Sequence, residues 1–282
     1  MSSRRWPTAA QRRRLLEQGT DDHYQDAELY DFEYGDRTHD IRWYRKLARK
    51  RAGEGPILEL GAGTGRITMP LAQDGHHVIA LDRAPKMLER LRAQSEGEAW
   101  AERIDPRAGE MTDIPVADAS VALAISPFNA LMHLYTWEEL LRCFREVARV
   151  LQPQGVFAFD VELPDLAWLR WDPDERHGIT PFTHPTTGER LIYSTNHIYD
   201  DATQVCHVRL YYDDAPPRGR RFRPPSKPRK LVHLAHRQIF PEEIRCLAFM
   251  AGLSIESHTG DFIGVSIQPS IASQVLVLTK PG

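Results

Sequence analysis

Ile57-Leu58-Glu59-Leu60-Gly61-Ala62-Gly63-Thr64-Gly65 is the stretch that decides the architecture of this 282-residue chain. A short apolar strand pattern runs into three glycines, and a helical stretch from Arg66 to Gln73 follows, stopped at Gly75. Glycine turns sharply where other residues cannot and lets a ligand approach the main chain closely. The following helix offers free N–H groups to that ligand. The spacing is G-x-G-x-G, without the third glycine of the dinucleotide form G-x-G-x-x-G. Glu59 stands two residues before Gly61, where an acid opposes a pyrophosphate and suits a ligand carrying an ammonium group. Val78-Ile79-Ala80-Leu81-Asp82 then ends a second apolar run on a carboxylate, 17 residues after Gly65, placed to accept hydrogen bonds from both hydroxyls of a ribose.

Outward from this point, strands alternate with helices. Pro85–Gln94 reads as a helix, Arg103–Ala108 as a weak strand and Val121–Ile125 as a buried strand. Trp137, Leu140, Leu141, Phe144, Val147, Ala148 and Leu151 mark one face of a strong helix, ended by Pro153 and Gly155 before a strand at Val156–Val161. This alternation implies a parallel sheet covered on both faces. Residues 165–235 break it: they show no clear helix, and Leu191–Tyr199 and Val205–Tyr212 read as a hairpin turning at residues 200–203. A helix at Pro241–Ala251 and strands at Leu253–Ser257 and Val275–Leu278 complete the series. Before it, helical periodicity appears at residues 8–18 and 37–51, flanking a segment with Tyr24, Tyr30, Phe32 and Tyr34. Tyr30 and Tyr34 share a helix face.

Composition excludes several classes. The chain is 41% hydrophobic and 27% charged with net charge −3, so it has the means for a core and no global field toward nucleic acid or anionic lipid. No apolar run approaches the roughly 20 residues of a membrane span. The basic N-terminus has no apolar stretch behind its charges, so no secretory signal is read there and a cytoplasmic location is expected. Cys143, Cys206 and Cys246 form no CxxC pair and are expected to be reduced, and no metal is expected. Residues 218–230 carry seven basic residues, no acid and three prolines, which reads as a solvated loop.

The runs LELGAGTGRITMPLA, VIALD and PKML, then Gly109–Asp113, Ser126–Leu134 and VLQPQGVFAFDV, resemble class I S-adenosylmethionine-dependent methyltransferases. The likeness is to small-molecule members such as glycine- and sarcosine-type N-methyltransferases and natural-product tailoring enzymes. The resemblance implies an α/β, Rossmann-like seven-stranded sheet with an antiparallel last strand. It also implies an N-terminal helical lid (1–36), a cofactor-binding core (37–163 and 236–282) and an inserted antiparallel β module after strand five (164–235) that sets specificity. The cofactor implied is S-adenosylmethionine, leaving as S-adenosylhomocysteine.

Residue roles follow from the same resemblance. Gly61, Ala62, Gly63 and Gly65 would surround the methionine part, with Glu59 placing its ammonium. Asp82 would hold the ribose, Arg83 and Met87 would flank the adenosine, and Glu110 and Met111 would meet the adenine. Pro127 and Phe128 would lie beside the sulfonium, with Tyr24 and Tyr34 reaching in from the lid. Candidate catalytic groups are His133, Tyr30, His197 and His207. Candidate acceptor contacts are Asn129, Asp160, Glu162, Tyr199, Arg209 and Tyr211.

The expected activity is methyl transfer to a small molecule, with an amine nitrogen favoured over a hydroxyl or an indole or ring carbon. Serine, not Asn or Asp, opens Ser126-Pro127-Phe128-Asn129, which argues against amino methylation of nucleobases or glutamine. No membrane or nucleic-acid partner is expected, and the insert offers a surface for self-association. The alternatives are an RNA methyltransferase using the basic loop, a non-catalytic cofactor-binding protein, and a nicotinamide dehydrogenase, which the glycine spacing disfavours.

Overall fold

A computed structural model describes residues 8–217 and 219–282. Three helices come first, α1 (Ala9–Asp21), α2 (Ala27–Tyr34) and α3 (His39–Arg51). The alternating series follows: β1 (Ile57–Leu60), α4 (Thr68–Gln73), β2 (Val78–Asp82), α5 (Pro85–Ser95), β3 (Ile104–Ala108), β4 (Val121–Ser126), α6 (Trp137–Val150) and β5 (Leu151–Glu162). Then come β6 (His177–Thr183), β7 (Arg190–Asp200), β8 (Val205–Asp214) and β9 (Lys230–Arg237), and finally α7 (Pro241–Met250), β10 (Ser254–Thr259) and β11 (Ser273–Thr279).

The large sheet has the order β10-β11-β5-β4-β1-β2-β3. Strands β1 to β5 run parallel to one another, and β11 lies antiparallel between β5 and β10. The sheet is therefore seven-stranded and Rossmann-like with an antiparallel last strand. Because β1 has β2 on one side and β4 on the other, the strand order reverses at β1, and a crevice opens beyond the carboxyl ends of these strands. All four residues of β1 are buried, as a central parallel strand requires. A Thr136–Glu139 capping box starts α6, whose inner face packs Phe144 against Phe157 and Phe159 of β5. Pro153 and Gly155 do end α6, but inside the start of a longer strand. The ladder pairs Val121 with Leu151 and then Leu123 with Val156, so the residues between bulge out.

The insert holds more than a hairpin. Strands β6 and β9 flank the β7–β8 pair in a four-stranded antiparallel sheet, and β9 runs through Arg237. Side chains alternate across it. Leu210, Tyr212, Val232 and Leu234 face the N-terminal segment and pack with Leu29 and Tyr24. The neighbours at odd positions of β8, including His207, Arg209, Tyr211 and Asp213, point to the other face. Helix α1 runs along β9, with no room for a Cβ at Gly19, which would meet Ala235 at 2.7 Å.

Candidate active site

The glycine turn is held by its neighbours. The amides of Gly61 and Ala62 both donate to the Leu81 carbonyl, at 2.9 and 3.0 Å, which ties the end of β1 to the end of β2. Gly61 (φ +70) has a positive φ, and a Cβ there would lie 2.6 Å from that of Ala130. Asp82, at the end of β2, accepts from the amides of Gly63 (2.7 Å) and Ala84 (2.8 Å), so its carboxylate latches the loop. Burial raises its pKa, and the two amide bonds oppose that shift.

Glu59 lies at the bottom of the turn, 2% exposed, with Thr68 Oγ1 donating to its carboxylate at 2.6 Å. Burial pushes its pKa up to about 8, against the pull of Thr68 and Arg66, so the group is mostly protonated at neutral pH. Arg66 is turned away from it toward Asp40, which it meets through both terminal nitrogens at 2.8 and 2.6 Å. Asp40 is fully buried and also binds Arg37. Both guanidinium groups sit over the Phe128 ring, at 4.4 Å for Arg37 and 5.2 Å for Arg66.

The turn after β4 is strained in a defined way. Phe128 and Asn129 both have positive φ, 54° and 65°. Asp160 at the end of β5 accepts from the Phe128 amide (3.0 Å) and the Tyr44 hydroxyl (2.7 Å), and its carbonyl accepts from the Asn129 amide (3.1 Å). Asn129 Oδ1 accepts from the Glu162 amide at 2.8 Å, and its Nδ2 donates to the Glu162 carboxylate at 3.3 Å. These bonds offset the backbone cost and hold Phe128 at the crevice.

The N-terminal segment closes over this floor as a cluster of rings. Tyr30 lies 4.7 Å from Tyr34 and 5.9 Å from Tyr24, His23 packs edge-on against all three tyrosines, and Tyr34 reaches Phe128 at 5.0 Å. Tyr24 Oη lies 2.6 Å from His133 Nε2. Burial raises the pKa of Tyr24, Tyr30 and Tyr34, so all three are neutral phenols. Polar contacts tie the segment to α5: Arg90 and Gln94 to Asp31, and Lys86 to the Gln25 carbonyl.

Together these parts enclose a cavity of about 850 Å³ including its mouth. Of the expected cofactor contacts, Tyr24, Glu59, Gly61, Ala62, Gly63, Asp82 and Arg83 line it, and so do Glu110, Met111, Pro127 and Phe128. Tyr30 and His133 line it as well. Gly65 and Met87 do not. Gly65 passes under Leu91, where a Cβ would clash at 2.2 Å, and Met87 is buried. Tyr34 packs behind Phe128, and Asn129, Asp160 and Glu162 brace the turn from below.

The insert residues singled out from the sequence are placed elsewhere. His197 stacks on Trp168 at 3.9 Å and bonds its carbonyl. Arg209 donates to the Pro173 carbonyl, and Tyr211 bonds Asn196 beneath the Arg176 guanidinium. His207 lines a separate small cavity against Leu15, and Tyr199 sits opposite Cys206. None of these five lines the cavity at the glycine turn. Sequence alternation grouped His207, Arg209 and Tyr211 on one face, but that face turns away.

Sequence reasoning passed over Thr20, Thr64, Arg66, Ile67, Ala84, Gly109 and Ala130, which also line it. Arg66 had a signal in its place directly after Gly65; Thr20 had none, since only the packing of α1 brings it there. In the basic loop, Arg218 lies outside the described residues, and Arg229 and Lys230 are paired with Glu189, Asp214 and Asp26. Among the described residues, no helix is long and apolar enough to cross a membrane, and no three His, Cys, Asp or Glu converge as a metal site.

Residues 57–155 match the family model described as a methyltransferase domain. Residues 57–155 are a methyltransferase domain of the S-adenosylmethionine-dependent class. An uncharacterized methyltransferase of Mycobacterium tuberculosis is 33% identical over 132 residues, 46% of this chain and 48% of that protein. The chain thus spans about half the length of the curated relatives it matches. Two solved structures share the fold over nearly the whole chain. The CcbJ methyltransferase from Streptomyces caelestis is 24% identical with a TM-score of 0.74, covering 94% of this chain and 99% of its own. CalS10, an amino pentose methyltransferase from Micromonospora echinaspora solved with S-adenosylmethionine, is 19% identical with a TM-score of 0.59, covering 87% and 90%.

Proposed function

We propose that this chain transfers the methyl group of S-adenosylmethionine to a small-molecule acceptor, with an amine nitrogen favoured. The observation that carries the reading is the enclosure. The glycine-turn cavity is roofed by the ring cluster of residues 23–34, and the insert sheet packs on that roof, so the volume suits a cofactor and a small acceptor rather than a macromolecular strand.

The residues present fit the cofactor. The turn at Gly61–Gly63 leaves main chain open to the methionine part, and Glu59 is a buried carboxyl that forms no salt bridge among the described residues, suited to an ammonium. Asp82 has lone pairs left beyond its two amide bonds for ribose hydroxyls. When bound, the cofactor supplies an activated methyl group on a good leaving group. The protein's part is to align the acceptor, exclude water and, for a protonated acceptor, receive a proton. Neutral tyrosine faces favour a sulfonium without forming an ion pair that would have to be broken. The imidazole of His133, at the cavity wall, is the group placed to receive the proton. The amine preference draws on the amino pentose enzyme among the solved neighbours.

Calorimetric titration with S-adenosylmethionine and S-adenosylhomocysteine is the first test. Binding that Asp82→Ala weakens about tenfold, roughly 1.4 kcal/mol, supports the reading. Binding without S-adenosylhomocysteine formation in the presence of any amine, phenol or indole of a broad panel refutes the small-molecule activity.

A further inference from the structure

Three parts of the chain meet at His133, and their hydrogen bonds favour one protonation of its ring. Tyr135, which lies between that histidine and α6, places its hydroxyl 3.3 Å from His133 Nδ1 and 3.3 Å from the Ala235 carbonyl on β9. A carbonyl only accepts, so the Tyr135 proton goes to Ala235. Thr20 Oγ1 of α1 is 3.1 Å from the same hydroxyl, but its own proton has a closer acceptor in the Leu16 carbonyl at 2.7 Å. The Tyr135 oxygen is left to accept from the ring, which therefore carries hydrogen on Nδ1. The Nε2 lone pair then faces Tyr24 Oη, the donor of the 2.6 Å contact. Tyr24 and His133 both line the cavity.

We propose that Tyr135 is a positioning residue that holds His133 in its Nδ1–H form, and that Tyr24 and His133 act together as the acceptor of the substrate's proton. The second half rests on the methyl-transfer reading; the first does not. As the acceptor atom gains its methyl group, its proton passes to Tyr24 Oη and the Tyr24 proton passes to His133 Nε2. The bond from acceptor to hydrogen and the Tyr24 O–H bond break, and the new O–H and N–H bonds replace them. The positive charge that leaves the sulfonium ends on the imidazole, so the charge of the cavity is conserved. The proton then returns to water.

The surroundings keep the ring neutral before the reaction. Facing His133 are Tyr24 and His23 from the N-terminal segment, Tyr135, His236 of β9 with ring centroids 4.9 Å away, and Arg83 after β2. Among the described residues, no carboxylate bonds the ring. Burial, with His236, His23 and Arg83 adding to it, holds the imidazole neutral well below its usual range. Closure is part of the device, because Tyr24 and Thr20 come from the N-terminal segment and Ala235 from the insert.

The full chain, labelled with ¹⁵N at histidine, tests the first half by long-range ¹H–¹⁵N spectra assigned with His133→Gln. The expected result is His133 with Nδ1 protonated and Nε2 bare, unchanged from about pH 8 to about pH 5. Tyr135→Phe should shift it toward the Nε2–H form, while Tyr24→Phe should not. Wild-type His133 protonated on Nε2, or no change in Tyr135→Phe, overturns the positioning role. For the second half, S-adenosylhomocysteine formation is followed with catechol and with glucosamine as probes. Tyr24→Phe should lower kcat on a hydroxyl acceptor about a hundredfold, and Tyr135→Phe should lower it with S-adenosylmethionine affinity unchanged. Wild-type rates in both variants overturn the proton-transfer role. No product from wild type with either probe instead counts against the methyl-transfer reading, and the tautomer result stands apart from it.

Discussion

Replacing Glu59 by glutamine removes one titrating group from the floor of the cavity while keeping its shape and its bond from Thr68. In the unfolded chain this carboxyl titrates near 4.5; in the folded protein burial moves it to about 8. Between those values the native state holds one more proton than the unfolded state. Stability from Glu59 is therefore full below about pH 4.5 and is lost as pH rises through about 8, at roughly 1.4 kcal/mol per pH unit. Over the whole window the effect is on the order of 5 kcal/mol, and between about pH 5.5 and pH 7.5 it is about 3 kcal/mol. Urea unfolding of the ligand-free protein at those two pH values measures it. Asp82 and Asp160 also titrate with raised pKa values, but they do so in both proteins, so the difference in slope isolates Glu59. The expected result is that wild type loses about 3 kcal/mol more than Glu59→Gln. Saturating S-adenosylhomocysteine, which brings an ammonium group, should shrink that excess. Parallel pH dependences in the two ligand-free proteins would refute the claim that this carboxyl is held protonated.

Three further outcomes are expected. Gly65→Ala forces a methyl group onto Leu91 at 2.2 Å in a backbone with φ +90, so it should cost several kcal/mol of stability and weaken cofactor binding; denaturant titration and calorimetry check both. Asp40→Ala leaves Arg66 without its buried partner and should destabilise by about 3–5 kcal/mol, read by the shift in urea midpoint at constant m. Changing Arg220, Arg221 and Arg223 together to glutamine should leave cofactor affinity and its salt dependence unchanged. A loss of methylation on total RNA in that variant would favour the RNA reading instead.

Much of the core was legible because its signals are local. Glycine spacing, an acid two residues before the turn and a carboxylate ending the next strand all lie within 24 residues of one another, from Glu59 to Asp82. The periodic face of α6 and the punctuation by Pro153 and Gly155 likewise depend only on neighbours in sequence. The insert was less legible. Its β7–β8 hairpin has a turn between its strands, but β6 and β9 pair across loops, and their residues alternate too weakly to announce a strand. His207, Arg209 and Tyr211 share a face by alternation, yet alternation does not say which face meets the cavity; the packing of Leu210, Tyr212, Val232 and Leu234 on Leu29 decides that.

By itself, then, the sequence determined the strand–turn–helix that builds the cavity at the glycine turn, because a glycine turn and a strand-end carboxylate are properties of short segments. Only the tertiary structure decided what surrounds that cavity. It brought Thr20, Tyr24, His133, Tyr135 and Ala235 together across more than 200 residues of chain. It also buried Asp40 beneath Arg66 and packed the polar face of the insert away from the cavity. Those placements come from apolar faces finding one another, and no local pattern carries that information.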